Sequence, residues 1–370
     1  MMKAFATGLI IFLTVWSCTQ IQRTADALLK PSAREVYARE FKKENLNFRE
    51  WEAVFEASKK DSLRISVPYV EEGRFHPERK FAYSYDLDLQ KGERVYVEVK
   101  VPDDSIGIFI DLFQKSAGVG LSLLKNSEPG ESRLDMDIEE TSLYKIIIQP
   151  ELFLDAPFTV LIYAQPSYDF PVAGAGNTNI QSFWGAGRDG GSRSHEGVDI
   201  FAKRGTPVVA ATEGRIGFTG ERGLGGKQVW LRDGLLGNSL YYAHLDSIAV
   251  SSGEKVNRGD TLGFVGNTGN AAHTPPHLHF GIYQGYGGAT NPLTYIKTQP
   301  VPMAGSGYNA RKAVILRNGS ELRQGPSTKY IQIASLSKHD SVWVLGKSDQ
   351  WFHVSVSDSL KGFVHQSLLK

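Results

Sequence analysis

Cysteine, charge imbalance and long apolar runs are all scarce in this chain. Its 370 residues include one cysteine, Cys18, which excludes an intramolecular disulfide and leaves hydrophobic cores or a metal ion to hold the fold. The 41 basic and 40 acidic residues give a net charge of +1, so charge provides no basis for nucleic-acid binding. No stretch reaches the roughly 20 apolar residues of a membrane span. The length predicts two or three folded units.

The first residues, MMKAFATGLIIFLTVWSC, predict export. A lysine precedes an apolar run of signal-peptide length, and residues 1–17 form the predicted signal peptide. Val15-Trp16-Ser17-Cys18 resembles a bacterial lipoprotein box, which implies cleavage before Cys18 and lipid attachment to it. Thr19 favours an outer-membrane lipoprotein that faces the periplasm and contacts the membrane through its lipid. The alternative is an ordinary signal peptide cut nearby.

The patterns that follow predict a mainly β, multidomain protein behind a helical amino-terminal segment at 18–79. Strong helix formers from residue 31 to 60 predict two helices or one helix broken at Asn45 to Asn47. Short alternating runs separated by turns predict a β-sandwich, jelly-roll-like in its order of strands, at 80–166. Turn-rich stretches at 166–179 and 298–310 isolate a middle domain at 179–298.

The last segment, 309–370, again shows short strand patterns. Its stretches "LRQGPSTKYIQIASL", "VWVLGKSDQWFHVSV" and "KGFVHQSLL" resemble small bacterial SH3-like β-barrels in their motifs and order. That resemblance implies either binding of cell-wall peptides or a spacer role. Tyr330, Trp343 and Trp351 are the candidates for an exposed wall-binding face.

Histidine is the residue type that stands out in the middle domain. Of nine histidines, three lie within the stretch "HTPPHLHFG" that begins at His273. Because side chains two apart on a strand share a face, His277 and His279 are predicted to point into one site while Leu278 and Phe280 face the core. His273 is predicted to be an exposed loop residue.

Two further patterns precede this one. His195 and Asp199 have a spacing that suits one helix face, but Gly197 and the β-rich sequence after it favour a strand or turn. In the alternating run "SLYYAHLDSI", Tyr242 and His244 are predicted to share a face. A single histidine is more often structural than a ligand, but three such patterns in one domain argue against coincidence.

This combination resembles the lysostaphin-type, or LytM-type, zinc metallopeptidases, which have a β-sheet peptidase domain and cleave peptide bonds in peptidoglycan. The resemblance implies one zinc ion per chain held by His195, Asp199 and His279, with His244 and His277 as catalytic residues. Which of these two is the general base stays open. The loop "NAAHTPP" is longer than is typical of the family. The resemblance rests on the motifs "HEGVDI", "GTPVVAATEGRI", "YYAHL", "GEKVNRGDTLGFVGNTG" and "PPHLHFGIY".

The function expected from this resemblance is zinc-dependent hydrolysis of peptide crosslinks in bacterial peptidoglycan, with peptide stems as partners. A zinc D-alanyl carboxypeptidase is disfavoured because no Glu-x-Trp-His segment follows Asp199. A non-catalytic regulator of another wall hydrolase, or a wall-anchoring lipoprotein with a vestigial domain, is expected to have lost ligands. The sequence leaves open whether a direct D-alanyl–diaminopimelate crosslink or a glycine bridge is cut, and whether the amino-terminal half covers the cleft.

Overall fold

The structure is a computed structural model that describes residues 31–370 except 104–105, 117, 235–236, 304–310 and 358–359. Two short helices begin this described part of the chain. Helix α1 spans Ala33–Ala38, with Ser32 and Glu35 forming a capping box, and α2 spans Leu46–Ser58. The Asn45 side chain accepts a hydrogen bond from the backbone N–H of Phe48 and so caps α2. Two helices therefore form, and the break between them ends at Asn45 rather than beginning there.

Residues 69–166 form a sandwich of two antiparallel four-stranded sheets. One sheet has the order β2-β7-β4-β5 and the other contributes β1-β8-β3-β6. The prediction of a helical segment up to residue 79 is wrong over residues 69–75. These residues alternate between buried and half-buried positions and form a strand. The strands are β1 Tyr69–Phe75, β2 Tyr83–Leu89, β3 Glu93–Lys100, β4 Ile108–Ser116, β5 Gly120–Asn126, β6 Arg133–Asp137, β7 Ser142–Pro150 and β8 Ala156–Pro166.

The central unit follows and has its own apolar core. Its eight-stranded sheet has the order β18-β14-β15-β16-β20-β12-β9, with β21 beside β20, and β13, β19 and β17 form a second sheet. The strands are β9 Ile180–Ser182, β10 Gly187–Arg188, β11 Arg193–Ser194, β12 Val198–Phe201, β13 Pro207–Val209, β14 Gly214–Glu221, β15 Lys227–Arg232, β16 Ser239–Ala243, β17 Leu245–Ile248, β18 Lys255–Val256, β19 Thr261–Val265, β20 His277–Tyr283 and β21 Ala289–Thr290, and helix α3 is Leu293–Ile296.

The carboxy-terminal unit extends a sheet of the sandwich. Strand β1 pairs with β25 as well as with β8, so one sheet runs through both units. Gly73 and Gly346 lie opposite each other in this pairing, and a Cβ on Gly73 would lie 2.5 Å from the Leu345 carbonyl oxygen. The strands are β22 Lys312–Val314, β23 Ser320–Arg323, β24 Gln332–Leu336, β25 Ser341–Ser348, β26 Trp351–Ser357 and β27 Leu360–His365.

The described helices include none with both the length and the apolar composition needed to cross a bilayer. The predicted signal peptide and the lipidation at Cys18 lie outside the described residues.

A buried charged cluster joins the sandwich to the carboxy-terminal unit. Glu71 of β1 and His353 of β26 are both fully buried, and His353 Nδ1 lies 2.9 Å from a Glu71 carboxylate oxygen. The hydroxyl groups of Tyr69 and Tyr85 donate to the other oxygen. Burial alone would raise the pKa of Glu71, but the attraction of His353 and these hydrogen bonds lower it.

We expect Glu71→Ala to destabilise the packing of the sandwich against the carboxy-terminal unit and so to lower the free energy of unfolding strongly. The substitution removes the acceptor of three buried donors, and loss of one member of a buried pair costs about 3–5 kcal/mol. Urea denaturation followed by tryptophan fluorescence measures the free energy of unfolding. A loss within about 0.5 kcal/mol, which is the usual range for surface substitutions, would contradict the expectation.

The pH dependence of stability, with Glu71→Gln as the control, tests the same pair. Since the folded-state pKa of Glu71 is lowered, its contribution is present above the unfolded-state pKa of about 4.3 and is lost as the pH falls through the folded value. The free energy of unfolding of the natural chain should therefore fall more steeply below about pH 4.3 than that of Glu71→Gln. Equal slopes would show that Glu71 does not contribute in this way.

Candidate metal centre

The antiparallel pairing of β12 with β20 builds one side of the candidate site. Asp199 lies opposite His279, and Phe201 lies opposite His277. These side chains project from the open face of the sheet, whereas the alternate residues, Val198, Ile200, Leu278 and Phe280, are fully buried in the core. The predicted placement of His277 and His279 on one face is confirmed.

The hairpin of β10 and β11 brings His195 to the same face. The backbone N–H of His195 donates to the Ala186 carbonyl at 2.9 Å, and its carbonyl accepts from the Gly185 N–H. Its ring Nδ1 lies 2.9 Å from the Phe183 carbonyl oxygen. Since a carbonyl can only accept, Nδ1 carries a proton, and Nε2 is the ring nitrogen that can bind a metal ion. His195 precedes strand β12 and is not helical, as predicted.

Three donor atoms converge where these elements meet. His195 Nε2, Asp199 Oδ1 and His279 Nδ1 lie 3.0 Å apart in each of the three pairs. Lone pairs this close repel one another unless a shared proton or a metal cation lies among them. Tetrahedral zinc with bonds of about 2.0–2.1 Å separates its ligand atoms by about 3.3 Å, and two imidazoles with one carboxylate suit zinc. The three residues therefore fit a zinc ion.

The surroundings of Asp199 leave one of its oxygens for this cluster. Arg188 donates from Nη2 to Asp199 Oδ2 at 2.6 Å and to Ser182 Oγ at 2.7 Å, so Oδ1 faces the histidines. Burial alone would raise the pKa of Asp199, but hydrogen bonding and attraction by His195 and His279 hold it well below its usual range. The carboxylate is therefore charged at neutral pH, as a metal ligand must be.

Gly197 sits against the ring of His279. A Cβ at this position would lie 2.7 Å from His279 Cε1 and 2.6 Å from the Phe280 carbonyl oxygen. Only glycine permits this approach, which holds the imidazole in its place beside Asp199.

His244 enters the cleft through an unusual backbone conformation. Its φ of 62° is left-handed and interrupts the strand alternation just after β16. The prediction that Tyr242 and His244 share a face is therefore wrong. Tyr242 is fully buried in the core, and His244 lines the cleft together with Tyr241. Its backbone N–H donates to the Gly225 carbonyl at 2.8 Å, which anchors the turn.

His244 and His277 form a pair with matching hydrogen bonds. His244 Nδ1 donates to the Thr268 carbonyl at 2.9 Å, and His277 Nδ1 donates to the Pro275 carbonyl at 2.8 Å. The ring centroids lie 5.1 Å apart, and His277 also stacks on Phe201 at 5.0 Å. The Nδ1 protons leave a lone pair on each Nε2. Burial and the nearby His277 lower the pKa of His244 to about 4, so its ring is neutral at pH 7.

A cleft of about 440 Å³ contains all five predicted site residues. Every described residue that lines it lies between Ser182 and Tyr283, so the described amino-terminal half contributes no lining residue. The sequence interpretation missed Arg188 and the floor residue Tyr241. Arg188 lies in a glycine-rich stretch and has no informative spacing, whereas Tyr241 shows only the strand alternation.

The aromatic residues predicted as a wall-binding face occupy other positions. Tyr330, Trp343 and Trp351 are half-buried. The Tyr330 hydroxyl lies 2.8 Å from Ser66 Oγ, and the Trp343 ring lies 4.8 Å from the Arg79 guanidinium carbon. Trp351 packs against the core of the sandwich. The predicted exposed face is wrong, because these side chains are used in contacts with the amino-terminal half.

We expect His279→Ala to abolish tight zinc binding and His273→Ala to leave it unchanged. The first substitution removes a converging donor, and the second removes an exposed histidine in the loop before β20. Loss of an outer hydrogen-bond partner already weakens metal affinity by about 10- to 100-fold, so loss of a ligand should weaken it further. Zinc titration against a competing chelator measures the affinity. Equal zinc affinity of both variants would contradict the assignment.

Comparison with known proteins agrees with this geometry. Residues 193–292 match the model of Peptidase family M23, and residues 318–370 match that of the bacterial SH3 domain. The L-Ala--D-Glu endopeptidase of Bacillus subtilis is 37% identical over 127 residues, which are 32% of this chain and 38% of that protein. The peptidoglycan DD-endopeptidase ShyA of Vibrio cholerae is 34% identical over 133 residues, 35% of this chain and 28% of that protein.

One solved structure similar to part of the chain is the catalytic domain of lysostaphin from Staphylococcus simulans, at 31% identity and a TM-score of 0.29. The match covers 32% of this chain and 92% of that one. The chain matches well under half the length of the two curated relatives named above. It carries a LytM-type domain of peptidase family M23, followed by a bacterial SH3 domain.

Proposed function

We propose that the protein is a zinc-dependent endopeptidase that hydrolyses peptide crosslinks of bacterial peptidoglycan. The observation that carries the proposal is the presence, in one cleft, of three converging donor atoms and two histidines with available Nε2 atoms. The names of the two curated relatives describe endopeptidases, and one of them names peptidoglycan. The zinc ion, the bond cleavage and the substrate are our proposals for this chain.

The metal and the two histidines have separate tasks in this mechanism. A bound zinc ion supplies a Lewis acid that polarises the scissile carbonyl and makes water nucleophilic near neutral pH. The neutral Nε2 of His244 or His277 accepts the proton of the attacking water, and the same atom can return it to the leaving amine. While it holds the transferred proton, that Nε2–H can also donate a hydrogen bond to the developing oxyanion.

The chain holds both rings ready for these proton transfers. The Pro275 carbonyl and the stacking on Phe201 fix the orientation of His277, and the Thr268 carbonyl fixes that of His244. Each Nδ1–H is already hydrogen-bonded to a backbone carbonyl, so Nε2 is the ring nitrogen left to contact the substrate. Orienting contacts of this kind keep a catalytic side chain near its productive geometry.

The alternative is a non-catalytic regulator that binds another wall hydrolase. A regulator needs neither the metal ligands nor free Nε2 atoms, yet His195, Asp199 and His279 converge and both further histidines face the cleft. These features favour the enzyme.

We expect the full zinc-loaded chain to convert the crosslinked dimers of purified peptidoglycan to uncrosslinked peptide fragments. His244→Ala and His277→Ala should retain zinc but lower the rate of cleavage by about 100- to 10,000-fold, which is the usual contribution of general acid–base catalysis. His273→Ala is the control and should cleave normally. Mass analysis of the fragments measures the rate and identifies the bond through its new termini.

Two outcomes of this assay would contradict the proposal. If the zinc-loaded natural chain releases no fragments, the endopeptidase proposal fails and the regulator is favoured. If both histidine variants cleave at the normal rate, the proposed proton transfers are wrong.

We also propose that Cys18 is lipid-modified and anchors the protein to the envelope, facing the periplasm from the outer membrane. The lipobox-like stretch before Cys18 supports this proposal. The chain should fractionate with outer membranes, and Cys18→Ser should appear in the soluble periplasmic fraction. An equal distribution of both proteins would argue for an ordinary signal peptide.

A further inference from the structure

A second hollow continues directly from the cleft across the open face of the central sheet. We call it the side groove and define it by Phe218, Arg222, Gln228, Trp230, Arg232 and Tyr241. Its volume is about 580 Å³. The side groove and the cleft share Leu224, Gly225 and Tyr241 as lining residues, so one surface connects them. A substrate longer than the cleft can therefore extend into the side groove.

The floor of the side groove is aromatic because of strand alternation. Trp230 of β15 lies opposite Phe218 of β14 on one side and Tyr241 of β16 on the other. The rings of Trp230 and Tyr241 have centroids 4.5 Å apart. The turn at Gly225 rests on this floor, since a Cβ there would lie 1.8 Å from the Tyr241 hydroxyl oxygen. The result is an aromatic surface on which a peptide backbone can lie.

Two arginines without carboxylate partners line the same hollow. The side chains of Arg222 and Arg232 are exposed and form no ion pair with any described residue, and no acidic residue is among the described residues that line the side groove. Several other arginines of the described chain are paired with carboxylates, for example Arg188 with Asp199 and Arg204 with Asp246. The planar guanidinium binds carboxylates with two parallel hydrogen bonds.

We propose that the side groove binds a segment of the substrate peptide that carries free carboxylates, with Arg222 and Arg232 as specificity-determining residues. The inference rests on the proposed function and deepens it, because it selects a substrate class. A carboxylate-bearing stem peptide complements two unpaired guanidinium groups over an aromatic floor. A neutral glycine bridge presents neither charge nor side chains to this surface.

The test uses two synthetic crosslinked peptides that differ only in their free carboxylates, which are converted to carboxamides in the second. We expect the full zinc-loaded chain to have a higher kcat/KM on the carboxylate form. Exposed ion pairs are worth up to about 1 kcal/mol each, so Arg222→Gln and Arg232→Gln should each lower this preference by up to about 5-fold. The double variant should cleave both peptides at the rate at which the natural chain cleaves the amidated one.

The matched control is Arg317→Gln, which makes the same change at an exposed arginine of the carboxy-terminal unit. It should keep the full preference. The preference should also weaken as salt is added, since the charges are exposed. Equal kcat/KM of the natural chain on the two peptides, better cleavage of a pentaglycine substrate, or an unchanged preference in the double variant would overturn the proposal.

Calorimetric binding separates this proposal from the proposed function. If the natural chain cleaves neither peptide, the uncleaved carboxylate form is titrated into it. Binding that the double arginine variant loses and Arg317→Gln retains would support the side groove while the endopeptidase activity fails. Absence of binding to the natural chain would overturn the side groove as well.

Discussion

Asp199 of β12 lies opposite His279 of β20, and the proposed chemistry depends on this register. Side chains on a strand alternate between the two faces of the sheet, so a slip of one residue would turn His277 and His279 into the core and bring Leu278 and Phe280 to the surface. The fully buried Leu278 and Phe280 prevent that slip, since exposing them would cost several kcal/mol. The apolar residues that alternate with the histidines therefore help to fix the positions of the donor atoms.

The sequence is informative about the site wherever one strand supplies the pattern. His277 and His279 follow the alternation of β20, and Gly197 argues correctly against a helix from His195 to Asp199. His244 could not be placed in this way, because its left-handed backbone depends on the Gly225 carbonyl, which lies 19 positions earlier. Arg188 reaches Asp199 only through the folding of the hairpin of β10 and β11. Contacts between elements that are distant in sequence cannot be read from the local spacing of residues.

The mainly β class and the two amino-terminal helices also follow from local patterns. The sequence does not reveal which surfaces of the units meet. Trp343 and Trp351 look like a binding face because aromatic residues on a small barrel are common in ligand sites. They pack instead on the amino-terminal half, where Trp343 lies near Arg79. Strand β1 was missed for a related reason, since three of its seven residues have charged side chains, including the buried Glu71.

The shared sheet has a consequence for how the chain is made. Strand β1 comes early in the chain, but its neighbour β25 lies at residues 341–348, after the whole central unit, and becomes available much later. Until then the outer edge of β1 offers unpaired N–H and carbonyl groups, which are a template for pairing with other chains. Domains generally fold as units, so the sandwich can fold while the edge of β1 is still unpaired. The carboxy-terminal unit thus pairs with an aggregation-prone strand edge. A chain truncated before β25 would leave that edge of β1 permanently exposed.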